Sequence, residues 1–578
     1  MKAKIVTSIL SIMILFSGAA AFSGCAEPVQ PEEPVDSTKT QLYIGNYNGG
    51  VGGKWLENAA DRFEEKYKDT CFEPGTNKKG VQIHIDNNKE RYHGNNLINN
   101  LSSITEQIIF TERAYYDEYV TSGKILDMTN AVTGDLAEVG EAGHTIEEKI
   151  GSAQKEYLNR DGKYYAVPHY RLFSGIQYNV RLWEDEGYYF AEDGINFVSP
   201  GSTAEEEPRS LGPDGKTGVI DGVDYSLDDG LPATYEDFFL LCDYICETGN
   251  VPFVWTGQYL AQYTGYLYWA LYADFEGAVK FMDNFDFSGT ADDIVDGWNE
   301  DGTPVLRTAE ITPQTGYELR QQLGRYYALS FLERLVKGNP ERRFTYYMTD
   351  SFGLTYSNLN AQEDFIKSYY EGKPIAMIAE GTWWENEADL ENGAFETAEH
   401  DYGASASREN SKFGFMPLPK ATKELVGTPF TVTDTYDSYI LYNSNMKGKE
   451  DILKLADLFV QFICTDEEMA EFTKTTGLPR ALEYRMSEED ISALTYYEQQ
   501  IWNVNINGEV VLPYSSSRLY RNNTGTLCYS YDWTTTVDGK PYSIPAKAFK
   551  DNGVTALQYF NGMKMSSSQW DTLYSKDF

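Results

Sequence analysis

The stretch "EGKPIAMIAEGTWW" occupies residues 371 to 384 and leads from an apolar run into two adjacent tryptophans. The run itself extends from Pro374 to Ala379, and Trp383 and Trp384 follow it closely in an otherwise very acidic chain. Large, poorly hydrated aromatic side chains in this position either complete a core or face a ligand. If the segment stays extended, the two rings point to opposite sides, so one ring can have each role.

The first part of the chain alternates short apolar strands with amphipathic helices. Residues 41 to 47 and 81 to 86 have strand patterns, and residues 54 to 67 between them carry apolar side chains at helical spacing. Two further predicted strands, 106 to 110 and 125 to 129, flank another helical segment. A strand, helix and strand in this order form a unit of a parallel sheet. The sequence therefore predicts an α/β protein.

Helix signals are also clear later in the chain. Residues 451 to 463 are amphipathic, and Thr465 with Glu468 predicts a capping box at the start of a second helix. Gly477 and Pro479 are expected to end that helix.

Two long stretches do not fit a compact sheet unit. Residues 188 to about 233 are rich in Gly, Asp, Pro and Ser and are predicted to be an inserted loop, and residues 484 to 578 form a Tyr-rich tail with mixed signals. The insertion contains Gly-Lys-Thr, but the glycine and the preceding strand of a phosphate-binding loop are missing. Its aspartates could hold calcium, although the closing glutamate of an EF-hand is absent, so solvated acidic turns are the preferred interpretation. They are Asp214, Asp221, Asp224, Asp228 and Asp229.

The amino-terminal segment has the layout of a secretory signal. Lys2 and Lys4 precede an apolar run that ends near Phe22, and small residues lead to Cys25. A membrane-spanning helix is the less favoured alternative, because no basic cluster follows the run. Residues 1–24 are therefore predicted to be a signal peptide, and residues 25–40 a flexible, Pro- and Glu-rich spacer beginning at that cysteine.

Composition limits the classes of partner. The chain has 578 residues and a formal net charge of −40, which disfavours nucleic acid and anionic lipid because both would repel it. Cys242 and Cys246 lie on one face of a predicted helix without a second pair to complete a zinc site, so they are interpreted as structural thiols. Neither a metal nor a cofactor is expected.

Four segments together resemble the maltose-binding-like (family 1) extracellular solute-binding proteins of carbohydrate ABC transporters. Beside the opening stretch they are "DGKYYAVPHYRLFSGIQYNVRLWEDEGY" (161 to 188), "FGFMPLPK" (413 to 420) and "FVQFICTDEEMAEFTKTTGLPRAL" (459 to 482). The ending "FSGC" is similar to a bacterial lipobox, with Phe22 where leucine is usual, and this implies that Cys25 is lipidated.

The resemblance implies a two-lobed, periplasmic-binding-protein-like fold with a ligand cleft between the lobes. Chain crossings are expected near 170 to 176, 413 to 419 and 463 to 467. Lobe one would then hold residues 41–172 and 417–465. Lobe two would hold residues 173–416, including the 188–233 insertion, and residues 466–578.

Ligand contacts follow from the same resemblance. Trp383 matches the position that stacks on a sugar ring, and Trp384 is a second candidate. The strand ends and the segments that border the cleft supply the other candidates, for which surface or core packing is the competing explanation. These are Asn46, Tyr47, Thr111, Glu112, Trp255, Gln258, Tyr259, Trp269, Asp434 and Asp437.

The expected function is capture of a carbohydrate, an oligosaccharide given the many aromatic side chains, and its delivery to an ABC importer permease. The resemblance implies a monomeric, lipid-anchored protein on the extracytoplasmic face of the cell membrane that is not an enzyme. Two alternatives stay open. A pair among the 88 acidic residues could act as glycosidase acid and base, and a surface lipoprotein could hold glycans without a permease.

Overall fold

The computed structural model describes residues 34–112, 116–220, 223–435, 437–527 and 535–575. The predicted signal peptide, Cys25 and most of the predicted spacer lie outside these ranges. Within them, no helix is both long and apolar enough to cross a bilayer.

In chain order, the strands of the described ranges are β1 Thr40–Asn46, β2 Val81–Asn87, β3 Ile108–Glu112, β4 Val167–Pro168, β5 Ser174–Asn179, β6 Val219–Ile220, β7 Val223–Asp224, β8 Val251–Val254, β9 Gly289–Trp298, β10 Pro304–Ile311, β11 Ile375–Gly381, β12 Phe413–Met416, β13 Thr431–Thr433, β14 Ser438–Tyr442, β15 Glu509–Val511, β16 Thr535–Val537 and β17 Lys540–Tyr542.

In the same order, the α-helices of these ranges are α1 Lys54–Lys66, α2 Gly94–Asn100, α3 Tyr116–Ser122, α4 Thr129–Thr133, α5 Ile146–Lys149, α6 Ser152–Leu158, α7 Val180–Glu186, α8 Tyr235–Glu247, α9 Leu260–Asp286, α10 Leu323–Lys337, α11 Asn358–Glu371, α12 Trp384–Ala388, α13 Ala394–Tyr402, α14 Glu450–Ile463, α15 Asp466–Thr476, α16 Glu488–Ser492, α17 Tyr496–Asn507, α18 Arg518–Asn522, α19 Thr524–Leu527, α20 Pro545–Asn552, α21 Ala556–Gly562 and α22 Ser567–Tyr574.

Two separate mixed sheets form the centres of two lobes. The first has the order β2-β1-β3-β14-β4, in which β1 is parallel to β2 and β3, and β14 is antiparallel to β3. The second has the order β12-β5-β11-β8, with β11 parallel to β8 and antiparallel to β5. Helices pack against both sheets, as expected where strands are buried. The predicted two-lobed α/β architecture is confirmed.

The chain passes between the sheets through segments that lie side by side. Residues 169–173 connect β4 to β5. The Thr435 amide donates to the Leu172 carbonyl at 2.6 Å, and the Arg171 amide donates to the Pro479 carbonyl at 2.9 Å. These contacts place Thr435 and the segment after α15 against the first crossing. Residues 169–173 thus run between the two sheets within the range predicted for a crossing, which stays a prediction.

The other two crossings differ from the prediction. Residues 413–419 stay with the second lobe, because Lys420 pairs with the buried Asp274 of α9 at 2.8 Å and β13 then pairs with β15. The chain reaches the first sheet only at Ser438. Residues 463–467 stay with the first lobe, because α15 packs on α1. Glu468 accepts from Arg62 there at 2.6 Å, so the third crossing follows α15.

The ion pair of Arg62 with Glu468 also leaves the predicted capping box incomplete. The Thr465 hydroxyl accepts from the Glu468 amide at 3.3 Å, as predicted. The Glu468 carboxylate does not return to Thr465 but binds Arg62 through two nitrogens. The helix nevertheless ends at Gly477 in the left-handed conformation (φ 70°), as predicted.

The Tyr-rich tail packs on elements of the second lobe. Helix α17 lies against β12, and α20 and α21 pack on α10. The insertion at 188–233 contains the short β6 and β7 pair. Within it, burial and the neighbouring Asp214 charge raise the pKa of Asp228 to about 8. Across the described ranges, no group of three or more His, Cys, Asp or Glu side chains has the arrangement of a metal site.

Candidate ligand-binding site

Polar side chains meet at the carboxyl ends of the first sheet, which face the second lobe. Asn46 ends β1, and its Nδ2 donates to Asn87 Oδ1 at the end of β2 at 2.8 Å. Asn46 is 1% exposed, and its Oδ1 has no donor among the described residues. A buried amide oxygen without a donor is costly, which marks it as an acceptor for a further group.

Glu112, at the end of β3, is held by the first crossing segment. The Tyr170 hydroxyl donates to Glu112 Oε2 at 2.8 Å, and both side chains are buried. Burial raises the pKa of Tyr170 well above its usual value, and the charges of Glu112, Tyr47 and Asp434 act in the same direction. Three predicted residues therefore surround one tyrosine that sequence reasoning did not select.

The other polar candidates of the first lobe have structural partners. The Thr111 hydroxyl donates to the Tyr92 carbonyl at 2.6 Å, and Thr111 is buried. Asp434 accepts from the Leu172 amide at 3.1 Å, which fixes the two crossing segments to each other. Asp437 is half-buried, and its charge acts on the buried Tyr439. These residues shape the junction between the lobes.

A glycine-rich loop follows β1 and extends toward the second lobe. Tyr47 folds over Gly49, where an added Cβ would lie 2.5 Å from the Tyr47 hydroxyl, and the Tyr47 ring stacks on His93 at 5.4 Å. The Gly52 amide closes a turn onto the Gly49 carbonyl at 2.8 Å. A side chain at Gly49 would meet the Tyr47 ring, and a side chain at Gly52 would be strained by the positive φ of 71°, so the loop favours glycine at both positions.

Trp383 meets this loop from the second lobe. A Cβ added to Gly50 would lie 2.9 Å from Trp383 Cβ and Cδ1. The six-membered part of the indole lies against Gly381 at the end of β11, and the Tyr266 ring meets it edge to face at 5.8 Å. Trp383 is 8% exposed. The tryptophan predicted to stack on a sugar therefore lies at the lobe junction, covered in this structure.

Trp384 has a different position. It is fully buried in the core of the second lobe. Its ring contacts four aromatic rings there, those of Phe365, Phe413, Phe395 and Tyr497, at centroid distances of 5.6, 5.0, 6.2 and 5.7 Å. Helix α12 begins at Trp384, so the segment is helical rather than extended, and the two rings still separate. The structure places Trp384 in the core and corrects its selection as a cleft residue.

Two further tryptophans are also core residues. Trp255 is 1% exposed and packs against Tyr347 and Phe352. Trp269 lies inside α9, where the Arg325 guanidinium stands 5.4 Å from its ring centroid. The sequence predicts both as ligand contacts because their positions border the cleft. Their rings instead point into the second lobe.

Gln258 and Tyr259 lie at the exposed start of α9. Gln258 Nε2 donates to the Tyr259 hydroxyl at 3.3 Å, and both side chains are accessible. The same helix carries Tyr263 and Tyr266 toward Trp383, with a ring distance of 5.3 Å between the two tyrosines. Gln258 and Tyr259 therefore lie at the outer end of α9, and the helix connects them to the junction.

Buried acidic groups support the Trp383 segment from behind. Glu380 accepts from Gln362 Nε2 and from the Gly381 amide, each at 3.1 Å, and burial raises its pKa well above the usual value. Arg408 binds Glu385 of α12 at 3.3 Å and Glu498 of α17 at 2.7 Å. Helix α12 is thereby fixed to the tail.

The structure thus brings together Asn46, Tyr47, Glu112, Asp434 and Trp383 near one junction. Sequence reasoning missed Tyr170, Gly50 and Tyr266 there. The glycine run after β1 was the available signal for Gly50, because close backbone approach requires glycine. The signal for Tyr170 was its place in a crossing segment.

Among the comparisons with known proteins, only the search of solved structures finds proteins that are similar to this chain. No family model matches the chain, and no curated protein sequence matches it. A cyclic α-maltosyl-1,6-maltose binding protein from Arthrobacter globiformis is 12% identical, with a TM-score of 0.50 over 93% of this chain and 100% of the other. The GacH receptor of Streptomyces glaucescens, solved unliganded and with acarbose, has the same identity, score and coverage.

A protein from a study of xylan utilization by the thermophilic bacterium Caldanaerobius polysaccharolyticus is also similar. It is 12% identical, with a TM-score of 0.51 over 91% of this chain and 99% of the other. At such identities the likeness establishes the fold. The chain has the two-lobed α/β fold of these proteins.

Proposed function

We propose that the protein is a receptor that binds an oligosaccharide between its two lobes and delivers it to the permease of an ABC importer. The observation that carries this proposal is the position of Trp383. It stands at the junction of the lobes, opposite the glycine loop of the first sheet, in a fold shared with a cyclic α-maltosyl-1,6-maltose binding protein and with a receptor solved with acarbose.

The chemistry of the junction suits a neutral sugar. An indole ring matches the apolar C–H face of a pyranose and loses little rotamer entropy on binding. Sugar hydroxyls can donate to the unsatisfied Asn46 Oδ1 and to the Glu112 carboxylate, which already accepts from Tyr170. Stacking and directional hydrogen bonds are thus available at one place.

The mechanism is a shift between open and closed arrangements of the lobes. Sugar that contacts both lobes favours the closed form by its differential contacts, and the closed form docks on the permease. The adjacent crossing segments at 169–173 and 434–435 provide the hinge. The protein acts as a monomer and performs no chemistry on the sugar.

The amino-terminal features complete the proposal. Cleavage before Cys25 and lipidation of that cysteine tether the protein to the extracytoplasmic face of the cell membrane. The Pro- and Glu-rich spacer lets the receptor reach the permease. Metabolic labelling with a palmitate analogue tests this part, and loss of label in Cys25→Ala is the expected result.

Calorimetric titration of the chain lacking its first 26 residues, with a panel of neutral oligosaccharides, tests the binding function. One sugar class should bind saturably, and Trp383→Ala should weaken its binding by about tenfold or more, the factor that ~1.4 kcal/mol of lost stacking represents. Trp298→Phe, in the distant β9 strand, is the matched control and should bind normally.

Two results would contradict the proposal. The first is that no sugar in the panel binds. The second is that Trp383→Ala binds as the unaltered protein does while its melting temperature is unchanged. Release of shortened sugar during the titration would support a glycosidase instead.

A further inference from the structure

The glycine loop of the first lobe and helix α12 of the second lobe are in direct contact at Trp383. Gly50 lies so close to the indole that an added Cβ would be 2.9 Å from two of its atoms. Only 8% of the Trp383 surface is exposed. The loop therefore covers the Cβ and Cδ1 side of the indole, and a sugar ring would have to displace it to reach that side.

One hydrogen bond joins the same two elements, and two close approaches between neighbouring residues lie beside it. Asn386 Nδ2 donates to the Gly50 carbonyl at 2.7 Å. A Cβ on Gly52 would lie 3.4 Å from the Leu390 side chain, and Lys89 stands 3.8 Å from the Glu387 carboxylate. The hydrogen bond is the directional contact among them, since the lysine is largely exposed and its ion pair contributes little. The lobes are therefore fastened to each other by direct protein contacts.

We infer that the loop from Gly49 to Gly52 is a self-closing latch, which covers Trp383 in the sugar-free protein and must leave before a sugar can bind. The inference rests on the proposed function for its consequence, the competition with sugar. The latch itself is a property of the free protein. It makes the loop an internal competitor for the stacking surface.

The latch has a quantitative consequence for affinity. Apparent affinity is the intrinsic affinity multiplied by the fraction of molecules able to bind. Each contact that favours the latched form therefore lowers the apparent affinity. Removing one net hydrogen bond should increase the unlatched fraction about fivefold. Latch variants should therefore bind sugar more tightly than the unaltered protein, whereas loss of a ligand contact would weaken binding.

Hydrogen–deuterium exchange of the sugar-free protein tests the latch directly. Gly50→Ala inserts a methyl group against Trp383 without backbone strain, because Gly50 does not have a positive φ. Asn386→Ala removes the donor to Gly50 without adding volume. Peptides covering 47–53 and 383–390 should exchange faster in both variants. Gly151→Ala, in open space before α6, is the matched control and should leave both peptides unchanged.

The outcomes are distinguishable from those of the binding experiment. If both variants keep the exchange of the unaltered protein in both peptides, the latch is refuted, whether or not a sugar has been found. If a sugar is found and the variants bind it more weakly, competition by the loop is refuted. Faster exchange in the absence of any sugar binding supports the latch and contradicts only the proposed function.

Discussion

Replacement of Trp384 by alanine should destabilise the second lobe strongly. The ring is fully buried among four aromatic side chains, so its removal leaves a cavity that these neighbours cannot fill without moving. Truncations of buried tryptophan cost about 3 to 5 kcal/mol. Trp383→Ala should lower the free energy of unfolding by less. The glycine loop is the neighbour of Trp383 across the junction, and 8% of the Trp383 surface is already exposed.

Urea unfolding, followed by far-ultraviolet circular dichroism, measures this difference. The midpoint of the transition that unfolds the second lobe should fall much further for Trp384→Ala than for Trp383→Ala, at similar slopes. Trp384→Phe keeps an aromatic ring in the cluster and should fall between the unaltered protein and the alanine variant. Sugar binding should follow the opposite order, with the greater loss in Trp383→Ala.

The reasoning would be refuted by a reversal of these effects. If Trp384→Ala unfolds at the midpoint of Trp383→Ala and loses sugar binding, then Trp384 is the ligand contact and the placement of the two indoles is wrong.

Three further predictions follow from buried charges. Burial raises the pKa of Glu385 from 4.5 to about 7, so the folded state keeps a proton that the unfolded chain releases. The free energy of unfolding should therefore fall as pH rises between these values. Glu385→Gln should flatten that part of a stability–pH profile, and an unchanged profile would contradict the assignment. Lys420→Met leaves the buried Asp274 carboxylate without its cation and should cost about 3 to 5 kcal/mol in chemical denaturation, with partial recovery when Asp274 is also made apolar. Tyr170→Phe removes the donor to Glu112 and should cost about 1 to 3 kcal/mol in the same assay, whereas a loss below the error of the measurement would show that the hydrogen bond is unimportant.

The elements of the first sheet were predictable because their signals are local. The strand, helix and strand pattern of residues 41 to 86 appears as β1, α1 and β2, in the expected parallel pairing. The strand predicted at 125 to 129 did not form. Asp127 accepts from the Thr129 amide at 2.9 Å and turns the chain, so only Ile125 makes a bridge, to Asn443.

The lobe boundaries were less predictable because distant contacts determine them. The ion pairs of Arg62 with Glu468 and of Lys420 with Asp274 join residues 406 and 146 positions apart, and no local pattern shows them. The candidate site was predicted in part for the same reason. Strand ends identified Asn46 and Glu112, but proximity of Gly50 to Trp383 depends on how the two lobes meet.

The association of the tail with the second core has a consequence for engineering the chain into a biosensor. Helix α17 supplies Tyr497 to the Trp384 cluster and Glu498 to Arg408, so a version shortened before Thr495 would expose that cluster. A reporter domain is better inserted elsewhere. The exposed turn at 300–302 between β9 and β10 has open space around Gly302, and an insertion there would leave both lobes intact.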